Sequence, residues 1–335
     1  MSDMLVIRLA AAAAVFALIA YALLAGADFG GGVWDLFASG PRKDQQRAAI
    51  AHAMGPVWEA NHVWLIFLLV LLFTCFPKAY AALATNLLIP FHLALLGIML
   101  RGAAFVFRAY AEPGHSRHFL LRNPAMWEDV FGVTSIISPL MLGASFGTVT
   151  ASPTDVGPMP TWLSPYPVIC GVLALSTCAY LAAVYLCRET AGQLQEDFRR
   201  RAIIAGTTTA ALSIITLYMA YFHARWFFDR MLEGRTVPVL AAGLVFFAAS
   251  AYAVFNRRYR LAQWCAAGEI TLLLIGWALA QSPYIAYPDH TLQSSAAPVA
   301  TIKFLLMSLI PGLAVLLPSL VLLFRVFKGN LKSQI

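Results

Sequence analysis

Nine apolar runs of about twenty residues or more, parted by short basic or Pro/Gly-rich connections, leave this chain of 335 residues little freedom in what it can become. In lipid every backbone N–H and C=O must find its partner inside the protein, so runs of that length become helices. Only 12% of the residues are charged and 60% are hydrophobic, which excludes an ordinary soluble globular domain. The sequence therefore predicts an all-α polytopic membrane protein, a single transmembrane domain over 1–335. Its helices are expected at roughly 4–38, 49–76, 79–110, 123–149, 166–187, 198–227, 237–255, 261–281 and 299–327. The third and sixth are long enough to tilt or to project past the bilayer. The N-terminal segment runs on as helix without a small-residue cleavage site, unlike a removed signal peptide.

Lys and Arg placement predicts the sides. Arg42, Lys43 and Arg47, then Arg108, Arg117 and Arg122, then Arg188, Arg199, Arg200 and Arg201, then Arg257, Arg258 and Arg260, and finally Arg325, Lys328 and Lys332 all fall on one side of a nine-span chain. Only Lys78, Arg225, Arg230 and Arg235 fall on the other. Cytoplasmic connections collect such residues, so the N-terminus is expected in the periplasm and the C-terminus in the cytoplasm. The same placement accounts for the net charge of +7 without nucleic acid as a partner.

The five cysteines, Cys75, Cys170, Cys178, Cys187 and Cys265, all lie in apolar segments and form no CxxC pair, as structural thiols do. There is no Walker loop, no dinucleotide-binding glycine pattern and no HExxH, and no metal is expected. Gly30, Gly31 and Gly32 stand inside a helix, where each costs about 1 kcal/mol against Ala. Close approach of a neighbouring helix or a cofactor is their expected use. Trp34, Trp58, Trp64, Trp127, Trp162 and Trp226 fall near span ends, where interface anchors are expected.

The polar residues inside the spans carry the chemistry. An ionisable group at membrane depth costs about 2.5–3.5 kcal/mol on insertion scales unless it faces protein or water. Asp28 and Asp35 come late in the first span, Glu59, Asn61 and His62 early in the second, Arg101 and Arg108 late in the third, and Glu128 and Asp129 early in the fourth. Four helices thus bring acids and arginines to one level near the inner side, as ion pairs around a wet polar passage or as interface markers. Asp28, Glu59 and Arg101 lie deepest. Glu59 is the candidate proton relay, with Asp28, Arg101, His62 and Asn61 around it, and Asp35, Asp129 and Glu269 are further candidates. Glu269 stands by itself near the middle of the eighth span. His62, near the inner end, and His92, near mid-depth after Pro90, are the histidines to weigh as haem ligands. No helix carries two at a depth spacing suited to two stacked haems, and structural roles are expected for both.

Two motifs are more specific. Gly26-Ala27-Asp28-Phe29-Gly30-Gly31-Gly32-Val33 closes the first span, and Trp58-Glu59-Ala60-Asn61-His62-Val63-Trp64-Leu65 opens the second. Together with Arg101 and with Ser295-Ala296-Ala297-Pro298-Val299-Ala300-Thr301 before the last span, they resemble subunit II of cytochrome bd-type ubiquinol oxidases. The chain's shortness resembles the cyanide-insensitive branch. The resemblance implies a multi-pass protein of the bacterial inner membrane, in a complex that oxidises quinol and reduces oxygen to water. It implies that subunit I carries haems b and d, or b only, and that this chain carries none. Its expected part is to support the haem subunit and to provide a cytoplasmic proton route and oxygen access. A bound quinone or lipid and a small accessory subunit stay open. The position matching Glu59 is often Asp in that family, and Asp28 and Arg101 match the acid's polar partners. Two other classes remain beside it, a proton-coupled secondary transporter and a purely structural membrane partner.

Overall fold

The computed structural model describes residues 2–110, 124–151 and 161–329, apart from the side chains of 55–59, 109–110, 124 and 323–329. Arg117, Arg122 and Lys332, and the side chains of Trp58, Glu59, Arg325 and Lys328, lie outside the described residues. The chain runs α1 (Asp3–Leu36), α2 (Lys43–Cys75), α3 (Pro77–Asn86), α4 (Leu88–Tyr110), α5 (Pro124–Thr150), a 3-10 turn at Thr161–Leu163, α6 (Pro165–Glu189), α7 (Gly192–His223), α8 (Arg225–Met231), α9 (Val237–Phe255), α10 (Tyr259–Gln281), a hairpin of β1 (Tyr284–Ala286) and β2 (His290–Thr291), and α11 (Val299–Gly329). Among the described residues eight helices are long and apolar enough to cross a bilayer. A ninth crossing is added if the apolar stretch Ala60–Cys75 is counted with α3 beyond a 119° bend.

The bundle is organised around α1, which touches α2, α5, α6, α10 and α11. Its three glycines make this possible. Successive helical residues point about 100° apart, so each glycine opens a different side. A Cβ on Gly30 would collide with the carbonyl of Cys178 on α6, and one on Gly32 with the Ser135 hydroxyl on α5. One on Gly31 would lie 2.8 Å from the Met54 side chain on α2. The glycine triplet is thus the seat of three neighbouring helices. One core surrounds Tyr180, Val184, Leu186 and Phe198, joining α1, α2, α6, α7, α9 and α10. A second joins the first half of α1 to the apolar half of α2 and to α11. Outside these cores Ile214 on α7 and Phe304 on α11 stand 71% and 74% exposed, a surface that only lipid or another apolar protein face can cover.

Three expectations change. The predicted helix 79–110 is two helices, because Pro90 has no N–H for the carbonyl of Asn86 and its ring crowds that carbonyl. His92 therefore sits in the second turn of α4. The predicted helix 198–227 is likewise α7, which starts earlier at Gly192, followed by a separate α8 after a break at Ala224. The tryptophan anchors are partly internal. Trp64 and Trp127 are buried, and Trp34 donates its indole N–H to the carbonyl of Ala179 at 2.7 Å. All five cysteines are free thiols.

Candidate functional site

Helices α1 and α4 carry acids and bases at the same interval. Asp28 and Asp35 on α1 are seven residues apart, as are Arg101 and Arg108 on α4. Seven residues make nearly two full turns, about 10 Å along the axis, and return to the same face. The two helices bring them together as two rungs, Asp28 with Arg101 and Asp35 with Arg108. α5 packs tightly against both α1 and α4, and the arginines, the longest side chains available, reach along it from α4 to α1. Phe131 of α5 lies between the rungs, its ring centre 4.5 Å from the Arg101 guanidinium carbon and 5.1 Å from that of Arg108. Two cations share one aromatic ring, each paired with its own carboxylate.

The deeper rung is fully enclosed. Asp28 and Arg101 are each 2% exposed. Arg101 grips the carboxylate with both terminal nitrogens, donates to the Asp28 carbonyl at 2.7 Å, and donates through Nε to Ser135 Oγ at 2.7 Å. Ser135 in turn donates its hydroxyl hydrogen bond to the Phe131 carbonyl at 2.6 Å. Asn61 of α2 donates to Asp28 Oδ2 at 3.0 Å. Charges withdrawn from water are tolerated only with this degree of hydrogen bonding. Beside the pair Tyr21, Phe29, His62 and Ile98 close a gap too narrow for a water molecule. Tyr21 stands seven residues before Asp28, its buried hydroxyl without a hydrogen-bond partner among the described residues.

The next rung approaches the surface. Arg108 donates to both oxygens of Asp35, at 2.9 and 3.3 Å; Asp35 is 1% exposed while the Arg108 side chain is 18% exposed. Beyond it Arg47 of α2 pairs with Glu128 of α5. Asp35 and Arg108, which by position alone were equally well interface markers, are thus an internal pair.

A second network closes the same end of the bundle. Arg201 of α7 donates to the carbonyls of Trp34 and Phe37, at 3.4 and 3.1 Å, and to Gln46 at 2.7 Å. It supplies donors and positive charge at the end of α1, whose last turn carries no basic residue of its own. Arg42 holds Asp197 through two bonds of 2.7 and 2.8 Å, and these keep its guanidinium more firmly protonated than usual. Arg199 similarly bonds the carbonyls of Val254 and Phe255 at the end of α9.

The remaining candidates separate. His62 joins the gap beside Asp28. Glu59 lies on α2 one turn before His62, and its side chain is outside the described residues. Asp129 is exposed on α5, and no ion pair among the described residues involves it. Glu269 is 7% exposed on α10, with Oε2 buried and unpartnered among the described residues, and is not part of this cluster. Sequence reasoning missed Tyr21, Ser135 and Phe131. The repeated interval of seven at 21, 28 and 35, matched at 101 and 108, was the signal that pointed to the first.

Residues 7–327 match the model of the cytochrome bd terminal oxidase subunit II family. The chain belongs to that family. It is 29% identical over 210 residues to cytochrome bd ubiquinol oxidase subunit 2 of Bacillus subtilis, covering 61% of this chain and 60% of that protein. It is 28% identical over 202 residues to cytochrome bd-I ubiquinol oxidase subunit 2 of Escherichia coli, covering 57% and 51%. The chain thus spans between half and two thirds of the length of these relatives. Its fold matches a chain of the bd oxidase from Geobacillus thermodenitrificans with a TM-score of 0.81, at 21% identity and over 97% and 99% of the two chains. In this subunit II the ion-pair ladder joins four membrane helices at their arginine-rich end.

Proposed function

We propose that this chain is the subunit of a bd-type quinol oxidase that carries no haem, supports a haem-bearing subunit I, and conducts protons from the cytoplasm toward it. The complex oxidises quinol and reduces oxygen to water in the bacterial inner membrane. The positive-inside rule puts the arginine-rich end in the cytoplasm and the N-terminus in the periplasm. A complex that takes its protons from the cytoplasm builds a potential without a pump.

The observation that carries the reading is the enclosed pair of Asp28 and Arg101 with Asn61, held away from lipid between four helices. An intramembrane ion pair of this kind is retained where polar traffic needs it. Asp28 is saturated by its partners, so its part is to set the field. Arg101 and Asp28 position the groups beside them, and the proton carriers are His62, which faces the gap, and Glu59 one turn away. Small movements of Tyr21 or Ile98 would admit the water that links them. In this reading His92, whose Nδ1 turns to the Leu88 carbonyl of its own helix at 2.6 Å, has a structural role. Haem iron is then held by subunit I, where it supplies the electron transfer and oxygen chemistry.

The test is Glu59→Gln in the intact complex. Quinol-driven oxygen consumption should fall at least tenfold, while the reduced-minus-oxidised haem spectrum of the purified complex stays unchanged. Normal turnover would refute the relay. Oxidase activity from a complex lacking this chain would refute the wider reading.

A further inference from the structure

Away from the ladder, four arginines gather where two turns meet. Arg188 ends α6, and Arg257, Arg258 and Arg260 crowd the turn from α9 into α10. With Gln195 and Tyr259 they line an open groove of about 480 Å³. The turn itself places a cation at an unusual position. Arg258 N–H reaches the Ala253 carbonyl at 2.8 Å and Arg257 N–H that of Val254 at 3.2 Å, a helix ending that sets residue 257 in the left-handed region, at φ 58°. Glycine is the usual occupant of that position. Here the turn carries a guanidinium instead.

The groove has more positive charge than its surroundings neutralise. Arg257 lies 3.3 Å from Glu196, and that carboxylate already pairs with Arg199 at 2.8 Å. Arg188 donates to a neutral amide, Gln263, at 2.5 Å. The other acids nearby in sequence are Glu189 and Asp197, and Asp197 pairs with Arg42. Arg258 and Arg260 are exposed, and no ion pair among the described residues involves them. Such a cluster suits phosphate oxygens, which accept several charge-assisted hydrogen bonds at once.

The surroundings favour a lipid over a soluble anion. α9 and α10 are both membrane-crossing candidates, so the turn joining them lies at the end of two spans. Leu261, lining the groove, is 45% exposed, and Tyr252, Phe255 and Trp264 close by on the same helix ends are 61%, 57% and 72% exposed. Aromatic side chains bared beside cations at a helix end are the signature of headgroup level, with acyl chains on one side and phosphate on the other. We propose that this groove binds the phosphate of an anionic phospholipid, its acyl chains lying along α9 and α10. The side of the membrane follows from the same positive-inside reading; the site itself does not depend on the proton route.

The chain, purified from membranes in non-ionic detergent with the subunits that accompany it, provides the test. Phosphatidylglycerol is expected to raise its thermal unfolding midpoint, and phosphatidylcholine at the same concentration is not. The variant R258Q/R260Q should unfold at the wild-type midpoint without lipid and lose at least half of the phosphatidylglycerol shift. K78Q/R235Q, which removes the same charge at other sites, should keep the shift. If the double variant does not assemble, Arg188→Gln on another helix carries the same test. An undiminished shift in the groove variants, or an equal loss in K78Q/R235Q, would overturn the proposal. So would an equal shift from millimolar inorganic phosphate, which would assign the groove to a soluble anion.

Discussion

Replacing Arg101 by Leu should be among the most damaging single changes available in this chain. The substitution leaves the Asp28 carboxylate 2% exposed with one remaining side-chain donor, Asn61 at 3.0 Å. It also removes the donors to the Asp28 carbonyl and to Ser135. Stripping one partner from a buried ion pair costs about 3–5 kcal/mol. For a chain of this size that corresponds to a fall of about 4–7 °C in unfolding midpoint, readable by tryptophan fluorescence of the detergent-purified complex. Asp28→Leu should cost a similar amount, since it strands the guanidinium between Phe29 and Phe131. The double variant D28L/R101L is the decisive member, because removing both charges leaves only neutral groups short of a partner, Asn61 without its acceptor and Ser135 and the residue-28 carbonyl without one donor, with the buried amide of Asn61 costing about 1 kcal/mol. It should recover at least half of the single-variant loss and still fail to support proton-coupled turnover. A midpoint within 2 °C of wild type for Arg101→Leu, or a double variant as unstable as the sum of the singles, would refute the view that these two residues act as one desolvated pair.

Further outcomes follow from the packing and the caps. Gly30→Ala should destabilise the chain more than Gly31→Ala, by about 1–3 kcal/mol, because the first meets the α6 backbone and the second a flexible Met54 side chain; unfolding midpoints of the two variants compare them. Arg201→Ala removes the donors to the last carbonyls of α1 and should cost about 1–2 kcal/mol, with hydrogen exchange increased first around 34–46. Glu269→Leu should stabilise the chain by about 1 kcal/mol, read as a higher unfolding midpoint, since it removes a buried carboxyl oxygen that no donor among the described residues satisfies; a loss of stability would show that the acid has a partner in the assembled complex.

What could be read in advance and what could not divide along physical lines. The run lengths were legible because lipid offers no hydrogen bonds, so every apolar stretch of twenty residues had to be helical whatever its neighbours. Asp28 and Arg101 stood out for the same reason, as charges too far from a span end to reach water. The role of Asp35 and Arg108 was not legible. A charged residue within reach of a span end can extend to the interface or turn inward, and only Phe131 and the helix that carries it decide for the latter. Trp34, Trp64 and Trp127 deceived for a related cause: an aromatic near a helix end has the same local sequence whether it meets headgroups or another helix. The break at Pro90 was available from its missing N–H, yet the hydrophobic run continued through it.

By itself, then, the order of amino acids determined the helices, the side on which the arginines gather and the presence of unsatisfied charge within the membrane, because each is a contest between one segment and its solvent. Which acid meets which arginine was decided only in three dimensions. Asp28 and Arg101 are 73 residues apart, and so are Asp35 and Arg108. Their meeting depends on α5 packing against both of their helices and on three glycines that let α1 lie close to α2, α5 and α6.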